Sequence, residues 1–194
     1  MTSRSAWIVS LALLAGCSGH QGQLTDTDPD YRREAIAAKT GAGDRSENPA
    51  IAAKLLNDPD SLVRAQAAVK LGESRDPEAV QFLAQALTDR DEHVRWDTVE
   101  ALEKIGDSSV APKVVDVLVR DENPNVRRVA ARCLGTLGDR AAIPALIEAL
   151  SDPDYSVSSA AATALAAITG QGFGRDKANW KAWYEGTPSP EAPK

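Results

Sequence analysis

The stretch Asp58-Pro59-Asp60-Ser61-Leu62-Val63-Arg64, running on through Ala67-Ala68 to Leu71-Gly72, is a phrase the chain repeats. Val94-Arg95 and Val126-Arg127 follow similar acidic, turn-like segments, and Val157-Ser158 is a degenerate fourth copy. The four valines stand 31, 32 and 31 residues apart. A fixed period of this size marks one supersecondary unit copied and stacked, so the chain reads as a solenoid.

Each copy reads as two helices. Seven residues after the repeat positions Arg64, Arg95, Arg127 and Ser158 lie Leu71, Leu102, Leu134 and Leu165. Ten residues on lie Ile105, Leu137 and Ile168, with Ser74 as the exception. Small or branched residues fill offsets three and four, as in Ala67-Ala68 and Ala130-Ala131. Offsets of 3, 4, 7 and 10 form one helical stripe. A second stripe belongs to the paired helix: Leu83 and Leu87, Val114 and Leu118, Leu146 and Leu150. Asp58-Pro59-Asp60, Asn123-Pro124-Asn125 and Asp152-Pro153-Asp154 end one helix and offer capping oxygens to the next. Asp76, Asp107 and Asp139 are placed to cap the partner helices, whose first turns tolerate Pro112 and Pro144. The first copy, from Asp28, reads as one residue short, which sets Arg33 against Arg64. The segment Thr40 to Asn48 is irregular.

Composition fits this reading. Of 194 residues, 43% are hydrophobic and only 5% aromatic, with alanine prominent, which suits closely packed helices better than a sheet sandwich. The net charge of −6 argues against nucleic acid as a partner, because phosphate binding needs a basic face. Two cysteines, Cys17 and Cys133, give no disulfide framework, and two histidines, His20 and His93, cannot supply a His-rich metal site.

Arg4 is the only charge in the first 16 residues, and the apolar run Ala6 to Leu14 follows it. That run is too short for a membrane-spanning helix and has the layout of a secretory signal. Leu14-Ala15-Gly16-Cys17 resembles the lipobox of bacterial lipoproteins. The resemblance implies a signal peptide over 1–16 and a diacylated Cys17 as the new N-terminus. Ser18 resembles the outer-membrane sorting class. Residues 17–27 then read as a flexible tether.

The phrase D-P-D-x-x-V-R-x-x-A-A-x-x-L-G stands nearly whole in residues 58–72 and, with the "G-D" that follows, in 121–139. It resembles the HEAT family in its short variety, found also in proteins of the phycobilisome-lyase type. The resemblance covers about 28–170. It implies an all-α superhelix of about four to five helix pairs, one helix of each pair lining a concave face. After the array, Thr169-Gly170-Gln171-Gly172-Phe173-Gly174 with Trp180 and Trp183 resembles an ending found after the last unit of many bacterial HEAT proteins. Residues 171–185 are therefore expected to cap the stack, and 186–194, with three prolines, to be a disordered tail.

Arg33, Arg64, Arg95 and Arg127 form either a basic stripe for an anionic ligand or, as the resemblance implies, a ladder of Asp–Arg hydrogen bonds between repeats. Helical geometry favours the ladder, since each arginine lies only about 45° from the middle of the apolar stripe. Trp96 is an extra: it lies on the side of its helix away from that stripe, and its equivalents are Ala65, Arg128 and Ser159. Asp97 and Glu100 accompany it, with Arg128 and Arg132 one repeat on. Tryptophan and arginine dominate interface hot spots, so these five residues are the candidate protein-binding patch; packing of Trp96 on a neighbouring repeat is the structural alternative. Cys133 reads as a half-buried, inert thiol and His93 as a surface residue.

No Ser-His-Asp set, Cys-His pair or metal-ligand cluster is legible, so no catalytic, cofactor or metal residue is expected. The expected function is a non-enzymatic protein-interaction scaffold that binds an unidentified protein or peptide and is itself a monomer. It would be exported and lipid-anchored to a bacterial membrane, with the periplasmic side of the outer membrane favoured. The alternative is an enzyme or enzyme accessory of the bilin-lyase-like HEAT group, and a structural spacer is the third reading. Export weighs against the bilin reading at this level.

Overall fold

The computed structural model describes residues 23–38 and 48–186. The signal peptide, Cys17, the tether as far as residue 22, residues 39–47 and the tail from 187 lie outside them. The helices are α1 (Pro29–Ala37), α2 (Asn48–Asn57), α3 (Ser61–Ser74), α4 (Val80–Ala86) and α5 (Glu92–Ile105). They continue as α6 (Ala111–Arg120), α7 (Pro124–Leu137), α8 (Ile143–Ala149), α9 (Tyr155–Thr169) and α10 (Lys177–Glu185). No strand occurs among the described residues.

The chain is an α solenoid. Pairs α2/α3, α4/α5, α6/α7 and α8/α9 pack as antiparallel hairpins. The odd helices α1, α3, α5, α7 and α9 stack in one layer; in the other, α2 lies by α4 and α8 between α6 and α10. The two apolar stripes meet between the layers. Val63, Leu71, Leu83, Val94, Leu102, Leu134, Leu146 and Leu165 are completely buried there.

Helix boundaries follow from local chemistry. Asp28, Asp60, Asp91, Asn123 and Asp154 cap the odd helices, each side-chain oxygen accepting a backbone N–H of the first turn. Such a cap contributes about 1 kcal/mol. Asp76, Asp107 and Asp139 cap short 3-10 turns that lead into α4, α6 and α8. Helices α5, α7 and α9 end in the left-handed conformation, at Gly106, Gly138 and Gly170, with φ of 77°, 70° and 73°. Arg75 holds the same place after α3 with φ 50°, a conformation that costs a residue with a Cβ about 1 kcal/mol.

The C-terminal end of the stack is closed by aromatics. Trp180 is fully buried, with Phe173 edge-on at 5.0 Å and Trp183 at 6.0 Å. Its indole N–H donates to Gly174 O at 2.8 Å, so the one polar atom of the ring is satisfied.

Candidate functional site

Two sets of arginines leave the odd helices, four residues and five residues after the cap. The four-residue set forms a ladder along the loop edge. Arg64 donates through Nε and Nη2 to both oxygens of Asp89, at 2.7 and 2.8 Å. Arg95 does the same to Asp121, at 2.7 and 2.9 Å, and Arg127 to Asp152, at 2.8 and 2.9 Å. The remaining Nη1 donates back to the loop of its own repeat, on the carbonyls of Asp58, Asp89 and Asp121. Each guanidinium thus bolts one repeat to the next.

The first rung is Arg32 and not Arg33. Arg32 donates to Asp58 at 2.9 and 2.8 Å and to the Asp26 carbonyl at 2.8 Å. Arg33 is a surface residue paired with Asp30 three positions earlier. Counting four residues from the cap Asp28 gives Arg32, so the first copy is not shortened; aligning Asp28 with Asp58, in place of Asp60, caused the slip. The repeated device is an Asp followed two residues on by a capping Asp or Asn: Asp26/Asp28, Asp58/Asp60, Asp89/Asp91, Asp121/Asn123 and Asp152/Asp154. The first of each pair serves the ladder or its loop, and its carboxylate accepts the backbone N–H of the second.

Burial pushes the carboxyls of Asp58, Asp89 and Asp152 upward, but their arginines and backbone N–H donors outweigh it and hold each below its ordinary value. The last repeat has Ser158 where the arginine would be. Arg175, from the segment before α10, reaches back to donate to Ser158 Oγ at 3.2 Å and lies 4.3 Å over the Tyr155 ring.

The second set faces the surface of the odd layer. Two seams of that layer are very close. A Cβ on Gly72 of α3 would stand 2.6 Å from Ala101 Cα of α5, and one on Gly135 of α7 would stand 2.9 Å from Ala164 of α9. In the α5–α7 seam the same register holds Glu103 and Cys133. Glu103 there accepts from Arg132 Nη2 at 2.8 Å and from Thr136 Oγ1 at 2.8 Å, while Arg132 also donates to Glu100 at 2.9 Å. Cys133 is completely buried, deeper than its place at the stripe border suggested. Burial chiefly, with Glu103 adding, pushes its thiol up to about 12, so it stays protonated and unreactive.

The five candidate residues are joined through three separate sets of contacts. Trp96 is partly buried against the core and carries the Arg128 guanidinium 5.0 Å from its ring centroid. Glu100 belongs to Arg132. Asp97 pairs with neither arginine; burial first, and Glu100 second, raise its carboxyl above the ordinary range. It shares a hollow of about 340 Å³ with Trp96 and the exposed His93.

A larger groove of about 560 Å³ runs between α7 and α9. Gly135, Ala160, Ala164 and Ala167 line it with small apolar surface; Arg128, Arg132, Tyr155 and Ser159 supply its polar walls. Glu103, Thr136, Tyr155 and the small residues of this groove escaped the sequence reading. The signal was the position eight residues after each ladder arginine, which reads Gly72, Glu103 and Gly135 and marks the middle seam as different. Among the described residues no group of three or more His, Cys, Asp or Glu could hold a metal ion.

The chain belongs to the HEAT-repeat family, whose model matches residues 48–122 and 111–177. It is 30% identical over 112 residues to the bilin biosynthesis protein MpeU of Synechococcus sp. (strain WH8020), covering 56% of this chain and 37% of that protein. It is 46% identical over 57 residues to the alpha subunit of phycocyanobilin lyase from Microchaete diplosiphon, covering 24% of this chain and 19% of that subunit. Among solved structures it resembles a chain in the complex of CpcE and CpcF of phycocyanin lyase from Nostoc sp. PCC7120. That match has a TM-score of 0.66 and 25% identity, over 76% of this chain and 63% of the other. The chain spans well under half the length of the two curated relatives it matches.

These relatives overturn the expectation of a non-enzymatic scaffold, and with it the expectation that the chain is no enzyme. All three are named for bilin biosynthesis or as lyases, so the bilin-lyase-like alternative fits better. The error lay in equating a missing nucleophile–base pair with missing activity. Holding two reactants in aligned geometry is itself catalytic and needs only a shaped surface.

Proposed function

We propose that the chain is an enzyme or enzyme accessory subunit of the bilin-lyase-like HEAT group, holding an open-chain tetrapyrrole for a protein partner. The observation that carries this reading is the fold match to a phycocyanin lyase chain over 76% of the present chain. The α7–α9 groove supports it. Its volume of about 560 Å³ lies within the range of small-molecule sites, about 300–1,000 Å³. Small apolar residues suit a conjugated, flat body, and an arginine suits carboxylates. Cys133 does not hold the ligand covalently, since its sulfur is buried and protonated. Catalysis then rests on positioning. The groove is open on one side, and the partner that closes it is a protein, in keeping with a relative found in a two-protein complex.

For location the proposal keeps the leader: export, cleavage before Cys17 and lipid attachment there, on the periplasmic side of a bacterial outer membrane. Loss of acyl labelling in Cys17→Ser tests the anchor; labelling that persists sinks it. The functional test is titration of the full-length protein with phycocyanobilin, followed by visible absorption. A saturable spectral change is expected, and its transfer to an added acceptor protein marks lyase activity. Absence of saturable binding overturns the reading.

A further inference from the structure

Three arginines of the odd layer and one from the segment before α10 stand around the groove and its border, and three of the four are already committed. Arg127 is spent on Asp152 and the Asp121 carbonyl. Arg132 is neutralised by Glu100 and Glu103. Arg175 is engaged with Ser158 and the Tyr155 ring. Arg128 makes no hydrogen bond or ion pair among the described residues and lies instead over the Trp96 face. It also lines the groove. A guanidinium held over an indole face by a cation–π contact keeps N–H donors available for a further partner. The contact restrains the side chain beforehand, which lowers the rotamer entropy to be lost on binding.

The groove is also polarised along its length. Arg128, Ser156 and Ser159 lie at the end near the N-termini of α7 and α9. Gly135, Ala164 and Ala167 lie toward the other end. From Ser159 to Ala167 the helix rises about 12 Å. Arg132, Thr136 and Thr163 also line the groove, but Arg132 is already paired, so the uncompensated charge lies at the Arg128 end and the small apolar surface toward the other.

We infer that Arg128 on Trp96 is the carboxylate anchor of the α7–α9 groove, which holds a bilin with its propionate at Arg128 and its conjugated body toward Ala167. This rests on the bilin reading above and adds the anchoring residue and the direction of the ligand. Trp96 is here a positioning residue, acting through the guanidinium it carries.

The test is a titration of full-length wild type, Arg128→Gln and Arg128→Lys with phycocyanobilin, and of wild type and Arg128→Gln with its dimethyl ester. Loss of a charge-assisted contact predicts a Kd raised roughly 10- to 100-fold in Arg128→Gln. Arg128→Lys recovers part, because it keeps the charge and loses the stacked fork. The ester weakens wild type by a similar factor and is not weakened further by Arg128→Gln, the signature of one shared interaction. Unchanged melting temperatures exclude a folding artefact, and the ester arm needs no variant. Tight wild-type binding that neither Arg128→Gln nor esterification alters overturns the anchor and leaves the bilin reading standing. Failure of wild type to bind overturns both.

Discussion

Arg127 and Arg128 are consecutive residues of one helix and belong to two different regions of the molecule. Arg127 points into the loop edge, where its guanidinium is largely buried and meets a carboxylate and a carbonyl that the repeat supplies every time. Arg128 points out over the odd layer, onto a tryptophan that one repeat alone carries. The ladder edge is uniform because every repeat must join its neighbour in the same way. The lining is irregular: two seams are closed by Gly72 and Gly135, and the one between them is filled by Glu103, Arg132 and Thr136. Regularity marks what holds the stack, and departure from it marks what the stack can hold.

The contrast is easiest to break at the ladder. Arg127→Ala should lower the free energy of unfolding by about 3 kcal/mol, since it strands the nearly buried Asp152 without its partner. Arg127→Lys should recover little, because a lysine cannot make the bidentate contact. Chemical denaturation measures both, and a loss below about 1 kcal/mol would contradict the structural role of the rung. Next comes the floor of the groove. Gly135→Val drives a Cβ against Ala164 and should cost about 2 kcal/mol by thermal melting, with the ladder intact. A neutral outcome would show that the α7–α9 seam can open.

The ladder also sets an acid limit. Asp58, Asp89 and Asp152 have folded-state values held below the ordinary 3.8. Their contribution is complete above that value and is lost as pH falls through the depressed folded ones. Stability should therefore be flat from neutral pH down to about 5 and drop below 4, and Arg127→Ala should flatten that drop. Equal acid sensitivity in the variant would remove the ladder as its cause.

Arg128→Ala, one residue further, should cost about 1 kcal/mol of stability or less, as expected of a partly exposed cation–π contact, while binding falls. A loss as large as that of Arg127→Ala would erase the distinction between the two regions. The smallest effect belongs to Asp97. Its carboxyl is raised by burial and by Glu100, so ionising it opposes folding, and that penalty is complete once pH exceeds the folded value. Asp97→Asn should raise the melting temperature slightly at neutral pH and not at acid pH.

Much of the fold was legible because each element of it is local and repeated. Caps, prolines and apolar offsets fix a helix within a few residues, and a period of about 31 then fixes the stack. The slip at Arg33 is instructive, since the cap-plus-four rule that corrects it was present in the same residues and only its frame was misjudged. The candidate site was legible in part. Trp96 stood out as an extra, but its link to Arg128 and not to Asp97 required the crossing of α5 and α7. Tyr155 and the alanines beside it carry no motif at all, and small residues signify a groove only when two helices approach there.

What the sequence determined by itself is the unit: two amphipathic helices, a capped loop, and an arginine placed to reach the next copy. Helical periodicity and capping act over one or two turns, and such interactions are written in neighbouring residues. What only the tertiary structure decided is which of Arg127, Arg128 and Arg132 is left without a carboxylate partner among the described residues. Arg127, Arg128 and Arg132 are chemically identical, and their partners Asp152, Trp96 and Glu103 lie some 25 to 32 residues away. The same guanidinium is a bolt, an anchor or a filler according to what the stacking of helices brings against it.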